Sequence, residues 1–195
     1  VRFVLKTLFQ KHGYVVETSG NYNGLLRLIK DLSPNLLITD VKLPDGNVLD
    51  NLFKIKNKFP EIPIIVISGL SNLSTTVNAF KYGAFEYISK PFNIDEVLEI
   101  SKSALKSIRQ NKEIIFTKEN VDNLKINNSL IGKSRSMQNI FQSISKLIGN
   151  NLTVLITGET GTGKDLVAKT IHNLCNKNNL KHITNLCHNR ILQLS

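Results

Sequence analysis

Three side chains of complementary chemistry close three short apolar runs. Asp40 ends Leu36-Leu37-Ile38-Thr39-Asp40, Ser68 ends Ile64-Ile65-Val66-Ile67-Ser68, and Lys90 follows Phe85-Glu86-Tyr87-Ile88-Ser89 and precedes Pro91. Near-continuous apolar runs separated by amphipathic stretches point to parallel strands buried on both faces. Ligands of such sheets bind beyond the carboxyl ends of the strands. Topology would therefore gather a carboxylate, a hydroxyl and an ammonium in one small site. Asp40 could attack phosphorus, Ser68 could hydrogen-bond a phosphoryl oxygen, and Lys90 could neutralise its charge. That is the chemistry of an acyl-phosphate switch. Each residue alone has a plainer reading. An Asp after a strand is commonly a cap or turn former, and a Ser there is commonly polar edge. The spacing and the Lys90-Pro91 pair favour the joint site.

A second constellation lies further along. Gly158-Glu159-Thr160-Gly161-Thr162-Gly163-Lys164 follows an expected strand, Thr153–Thr157, and precedes an expected helix, Asp165–Leu174. Strand, Gly-rich turn, Lys and helix form the context of a phosphate loop. The glycines let backbone amides approach phosphate oxygens, the helix N-terminus adds its dipole, and Lys164 reaches the outer phosphates. Asp165 departs from the generic loop, where a Ser or Thr hydroxyl binds magnesium. The plainer reading is a Gly-rich turn with a surface Lys, and the flanking strand and helix argue against it.

The elements that would carry these residues alternate between β and α, the pattern of a parallel α/β sheet. Val1, Val4, Leu5 and Leu8 recur at helical spacing, and Gly13 is a plausible helix stop. Tyr14–Thr18 reads as a strand and Asn21–Leu32 as a helix with Leu25, Leu26, Leu28 and Ile29 on its apolar face. Later helices are expected over Val48–Phe59, Leu73–Tyr82 and Ile94–Gln110. Gly46 and Gly69 soften the loops after Asp40 and Ser68. Asp45 reads as a structural turn residue. Residues 111–129 are polar and Asn-rich and read as a linker. Beyond it, Met137, Ile140, Phe141, Ile144 and Ile148 share one helical face. The expected division is a first domain over 1–110, the linker over 111–129 and a second domain over 130–195.

Composition narrows the classes. The chain has 195 residues, enough for one or two domains, and a formal charge of +10. The lysines are scattered and no basic helix reads as a DNA-recognition element, so the charge does not by itself argue for nucleic acid. No run of about 18 apolar residues occurs, so no membrane is expected as a partner. Cys175 and Cys187 have neither metal-type nor redox spacing, which fits a reducing cytoplasm. His182, Cys187 and His188 cluster, but their spacing matches no common zinc site.

Leu36 to Phe92 resembles the receiver domain of two-component response regulators. Asp40-Val41-Lys42-Leu43-Pro44 matches the phosphoacceptor motif, with Leu43 where Met is usual. Ser68-Gly69 matches the switch hydroxyl and its small neighbour, Tyr87 the switch aromatic, and Lys90-Pro91-Phe92 the Lys-Pro-Phe motif. The second module resembles the sigma-54-dependent activators of the NtrC type. It shares their Gly-Glu-Thr-Gly-Thr-Gly-Lys loop, with Asp165 for their Glu, and the Ile131-Gly132…Met137-Gln138 entry. Gly83–Tyr87 and Lys90–Glu96 are similar to NtrC receivers. The resemblance can be followed over roughly residues 1 to 179.

It implies a flavodoxin-like receiver followed by the start of a P-loop AAA+ α/β domain. It implies Asp40 as phosphoacceptor, Ser68, Tyr87 and Lys90 as phosphoryl-contact and switch residues, and residues 158–165 as a nucleotide site for ATP. Magnesium would be held by Asp40 and the backbone carbonyl of Lys42, but the acidic pair of the family's first strand has no counterpart here. In the family's strand order, two-one-three-four-five, that strand separates Tyr14–Thr18 from Leu36–Thr39. A marginal receiver half and an incomplete magnesium site are the expectation. A sensor histidine kinase is the implied partner, and a paralogous response regulator a further one. Sigma-54 RNA polymerase and DNA are partners of the intact family. No Asp or Glu occurs after Asp165, so a catalytically silent fragment with weak or vestigial ATP binding is expected, and a frameshift would explain residues 180–195. Two alternatives stand beside this: a module that binds a kinase or a full-length paralogue without phosphotransfer, and a standalone nucleotide-binding protein, which lacks a second acidic motif.

Overall fold

The computed structural model describes residues 1–69, 72–108, 130–132, 134–148, 154–175 and, for the backbone alone, 192–194. The chain divides into two compact units, Val1–Leu70 with Asn78–Thr117 and Ser71–Val77 with Lys118–Ser195. The expected linker lies outside the described residues, as do His182, Cys187 and His188.

The first unit is built on a three-stranded parallel sheet. Strand β1 is Leu37–Asp40, and a two-residue hairpin follows it, β2 (Lys42–Leu43) against β3 (Gly46–Asn47). Strand β4 is Ile64–Ser68 and β5 is Glu86–Ser89. The order is β1-β4-β5, with Leu37 opposite Ile64 and Ser68 opposite Ser89. The helices of this unit are α1 (Arg2–Lys11), α2 (Tyr22–Leu32), α3 (Leu49–Lys58), the Asn78–Lys81 end of α4 (Leu73–Lys81), and α5 (Ile94–Ile108).

Strand β4 explains the two-layer packing. Successive side chains of a strand point to opposite faces, and all five residues of β4 are buried. Ile64 and Val66 join Leu25, Ile29, Leu52, Ile55 and Tyr87 on one face. Ile65 and Ile67 join Phe9, Ile88, Val97 and Leu98 on the other. Helices thus cover both sides, which is why these strands read as unbroken apolar runs.

Helix ends match local chemistry. The Asn21 side chain accepts from the Gly24 amide at the start of α2. Gly13, at φ +81°, follows the end of α1 in a left-handed conformation that suits Gly. Phe9 and Tyr14 meet edge-to-face, centroids 5.7 Å apart, and turn the chain back toward the sheet.

Two expectations need correction. Tyr14–Thr18 is not a strand. Its period-two pattern is present: Tyr14 and Val16 pack toward the core, whereas Val15 is 98% exposed. A strand also needs a neighbour for its backbone groups, and no described segment pairs with this one. The apolar face of α1 is also shifted. Leu5, Leu8 and Phe9 pack inward, while Val1, Phe3 and Val4 are exposed. The remaining helices begin and end within a residue or two of their expected bounds.

In the second unit, α6 (Arg135–Leu147) is capped by the Ser134 hydroxyl, which accepts from the Met137 amide. Phe141 and Ile144 of α6 share a core with Leu130 and with Ile171 and Leu174 of α7 (Lys164–Cys175). Strand β6, Val154–Ile156, enters the Gly-rich loop. It pairs antiparallel with β7, Leu192–Leu194, with Ile156 opposite Leu192.

Candidate functional site

Parallel pairing brings the carboxyl ends of β1, β4 and β5 together. The Val41 amide donates to the Ile67 carbonyl at 3.0 Å, and the Lys90 amide to the Ser68 carbonyl at 2.8 Å. These bonds carry the ladder one residue past each strand end. They place Asp40, Ser68 and Lys90 side by side along one rim.

The Lys90 ammonium donates to Oδ2 of Asp40. Both side chains are about a third exposed. The other carboxylate oxygen, Oδ1, accepts from the Lys42 amide at 3.3 Å. Asp40 is thus oriented from both sides, by a cation from β5 and by an amide of the hairpin. Ser68 is 1% exposed at the end of β4, and a cis peptide bond joins Lys90 to Pro91. Tyr87 is also 1% exposed and packs within the core shared by α2 and α3. The sequence-expected pair Asp40 and Lys90 is in direct contact, with Ser68 tied to Lys90 through its backbone.

For magnesium the expectation is an incomplete site of Asp40 and the backbone carbonyl of Lys42. Among the described residues, no group of three or more His, Cys, Asp and Glu could hold a metal ion. Asp40 brings one carboxylate. Asp45 is committed elsewhere: its Oδ1 accepts from the Tyr22 amide at 2.6 Å and its Oδ2 from the Asn23 amide at 3.1 Å. The Tyr22 bond, joined by that of Asn23 and opposed by slight desolvation, holds Asp45 below the usual carboxylate range. The Asp40 carboxylate is therefore one of the near-octahedral oxygen donors that magnesium asks for, and Asp45 is not another.

The link from Asp45 to α2 was not visible in the sequence beyond the turn chemistry of Pro44-Asp45-Gly46. A second unforeseen contact is Lys56. Its ammonium donates to the carbonyls of Pro60 at 2.6 Å and Ile62 at 2.9 Å, clasping the turn between α3 and β4. Burial pushes the lysine below its ordinary range, and nearby Glu61 opposes the shift.

In the second unit, the Gly-rich loop runs from β6 into α7. Gly158, Gly161 and Gly163 have φ of +151°, +82° and +85°, a region that favours Gly. Nothing lies within 4 Å of a Cβ built on Gly161 or Gly163. Lys164 opens α7 and is 7% exposed. Its ammonium donates to the Glu159 carbonyl and, at 3.3 Å, to Oγ1 of Thr162. The Thr162 hydroxyl donates in turn to the Glu159 carbonyl at 2.8 Å. Glu159 and Thr160 are exposed, and Asp165 lies in the first turn of α7, where its charge complements the helix dipole. The open loop, the helix N-terminus and Lys164 fit a polyphosphate such as that of ATP.

Asp40 and Lys90 meet at the carboxyl ends of a parallel sheet, where such sheets bind their ligands. The chain belongs to the response regulator receiver domain family, whose model matches residues 1–102. Residues 130–193 match the sigma-54 interaction domain, an ATPase family. That match runs past residue 179, the limit of the resemblance seen in the sequence motifs. The transcriptional regulator NtrC of Azospirillum brasilense is 39% identical over 179 residues, covering 92% of this chain and 37% of that protein. NtrC of Escherichia coli K12 is 32% identical over 172 residues, covering 88% and 36%. The chain therefore spans a little over a third of the length of these relatives. Among solved structures, NtrX from Brucella abortus in complex with ATP matches with a TM-score of 0.53 and 31% identity, covering 88% of this chain and 37% of that one. A CheY-like receiver domain protein from Methanospirillum hungatei matches with a TM-score of 0.53 and 30% identity, covering 55% and 86%.

Proposed function

We propose that this chain is the phosphoacceptor and nucleotide-holding part of an NtrC-type response regulator in a two-component system. A sensor histidine kinase donates a phosphoryl group to Asp40. An oxygen of Asp40 attacks phosphorus, the bond between phosphorus and the donor's imidazole nitrogen breaks, and the imidazole leaves with the electron pair. Lys90 balances the charge on the incoming group, Ser68 donates a hydrogen bond to it, and Tyr87 responds to the change at Ser68. The second unit holds ATP through the amides of residues 158–165 and the ammonium of Lys164, weakly and without turnover. In the intact family the phosphoryl signal leads to remodelling of sigma-54 RNA polymerase at DNA. A cytoplasmic location accords with these partners, and no described helix is long and apolar enough to cross a membrane.

The observation that carries the reading is the Lys90–Asp40 contact at the rim of the sheet. Its test is labelling of the full chain with acetyl phosphate, read by intact mass. Slow, single-site labelling that disappears in Asp40→Asn is expected. Labelling that survives that substitution would place the phosphoacceptor elsewhere.

A second reading is supported by Asp40 being alone, with no acidic cluster beside it among the described residues. Here the chain binds a histidine kinase, or a full-length paralogue, without taking phosphate. Kinase binding by a chain that never gains mass would favour it.

A further inference from the structure

The hairpin after Asp40 is anchored at both ends. At its base the Val48 amide donates to the Val41 carbonyl at 2.8 Å, and Val41 is buried in the core. At its tip Asp45 spans more than twenty residues of sequence to bind the first two amides of α2. Between these anchors, Lys42 pairs with Asn47 and Leu43 with Gly46. The Lys42 amide is the group that donates to Oδ1 of Asp40.

The accounting at the start of α2 shows how specific this anchor is. The first amides of a helix have no partner within it. The Asn21 side chain takes the Gly24 amide and the Asn21 carbonyl takes that of Leu25. Those of Tyr22 and Asn23 are left to Asp45. A carboxylate there gains both charge-assisted hydrogen bonds and the favourable end of the helix dipole. With only two residues in each strand, the hairpin has little else to fix its tip.

We infer that Asp45 is a positioning residue for Asp40: by fastening the hairpin to α2 it holds the Lys42 amide against Oδ1 and so fixes the attacking carboxylate. Asp45 does not touch the reacting atoms. Its effect travels through the backbone from Asp45 to Lys42. The inference rests on Asp40 being the phosphoacceptor.

The test compares initial rates of acetyl phosphate labelling for the full chain and for Asp45→Ala, Asp45→Asn and Asn23→Pro, each checked for an unchanged circular dichroism spectrum. Small displacements of a reacting group are costly to rate, so Asp45→Ala should label roughly three- to tenfold more slowly. Asp45→Asn keeps an acceptor oxygen and should recover most of the rate. Asn23→Pro removes one donor at an exposed position in the first helical turn, where proline is tolerated. It should slow labelling in the parent but add nothing to Asp45→Ala. A merely structural role would lower the melting temperature without this rescue and without the non-additivity. Equal rates for the parent and Asp45→Ala would overturn the inference alone. No labelling of the parent by acetyl phosphate, or labelling that persists in Asp40→Asn, would overturn the phosphoacceptor reading and the inference with it.

Discussion

The Lys90 amide donates to the carbonyl of Ser68 at 2.8 Å, so the ends of β5 and β4 are fastened by backbone while the Lys90 side chain turns to Asp40. One residue thereby serves two neighbours. Its main chain extends the ladder, and its ammonium meets the carboxylate at the end of β1. Substituting the side chain leaves the ladder bond in place, which makes Lys90 a clean probe of chemistry apart from folding.

Lys90→Gln should retain the parent's far-ultraviolet circular dichroism yet label at Asp40 about tenfold more slowly, because a positioned cation opposite developing phosphoryl charge is lost. Mass-detected labelling with acetyl phosphate measures this. Unchanged rates would separate the ion pair from the reaction.

The contribution of Asp45 should depend on pH in a defined direction. Its carboxyl is held below the ordinary carboxylate range by the Tyr22 amide first. A lowered carboxylate contributes stability above its unfolded pKa, and that contribution is lost as pH falls through the folded value. The melting temperatures of the parent and Asp45→Asn should therefore differ at neutral pH and converge below about pH 4. A gap that stays constant down to acid unfolding would contradict the helix-capping role.

Lys56 clasps two carbonyls of the turn between α3 and β4. Lys56→Met keeps most of the aliphatic stem and removes the donors. Hydrogen bonds from a charged group contribute about 1.5–3 kcal/mol, and partial exposure places this loss toward the lower end. Gly83→Ala should destabilise the same region for a different reason. Gly83 has φ +94°, and an added Cβ would come within 2.7 Å of Lys56 Cγ. Urea denaturation of the two single variants and the double variant will show coupling between them, since both act on the Lys56 side chain.

Lys164→Ala should weaken ATP binding by at least about tenfold, as a charge-assisted contact to phosphate is lost. Calorimetric titration of the full chain measures this. Equal affinities for parent and variant would place the nucleotide away from the Gly-rich loop.

Apolar continuity made β1, β4 and β5 readable, and the polar residue closing each run located the rim. Helices α2, α3 and α5 were readable from spacing because each covers one face of the sheet. Tyr14–Thr18 misled because pattern records which side chains face inward and cannot record whether a neighbour supplies hydrogen bonds. Leu192–Leu194 shows the converse. Nothing in its composition announced a strand, and pairing with β6 alone makes it one. Asp45 and Lys56 were opaque because each serves backbone groups, which all residues share and no sequence marks.

The double burial of β4 has a further effect on how the chain fails. Ile64-Ile65-Val66-Ile67 is uncharged, β-branched and free of proline within the run, the composition that stacks into intermolecular cross-β assemblies. In the folded chain both of its edges are paired and both faces covered. The segment cannot be released by fraying, since β1 or β5 must first part from it. Its exposure is therefore tied to opening of the whole first unit, and self-association should follow the population of that open state rather than local motion at the sheet's rim.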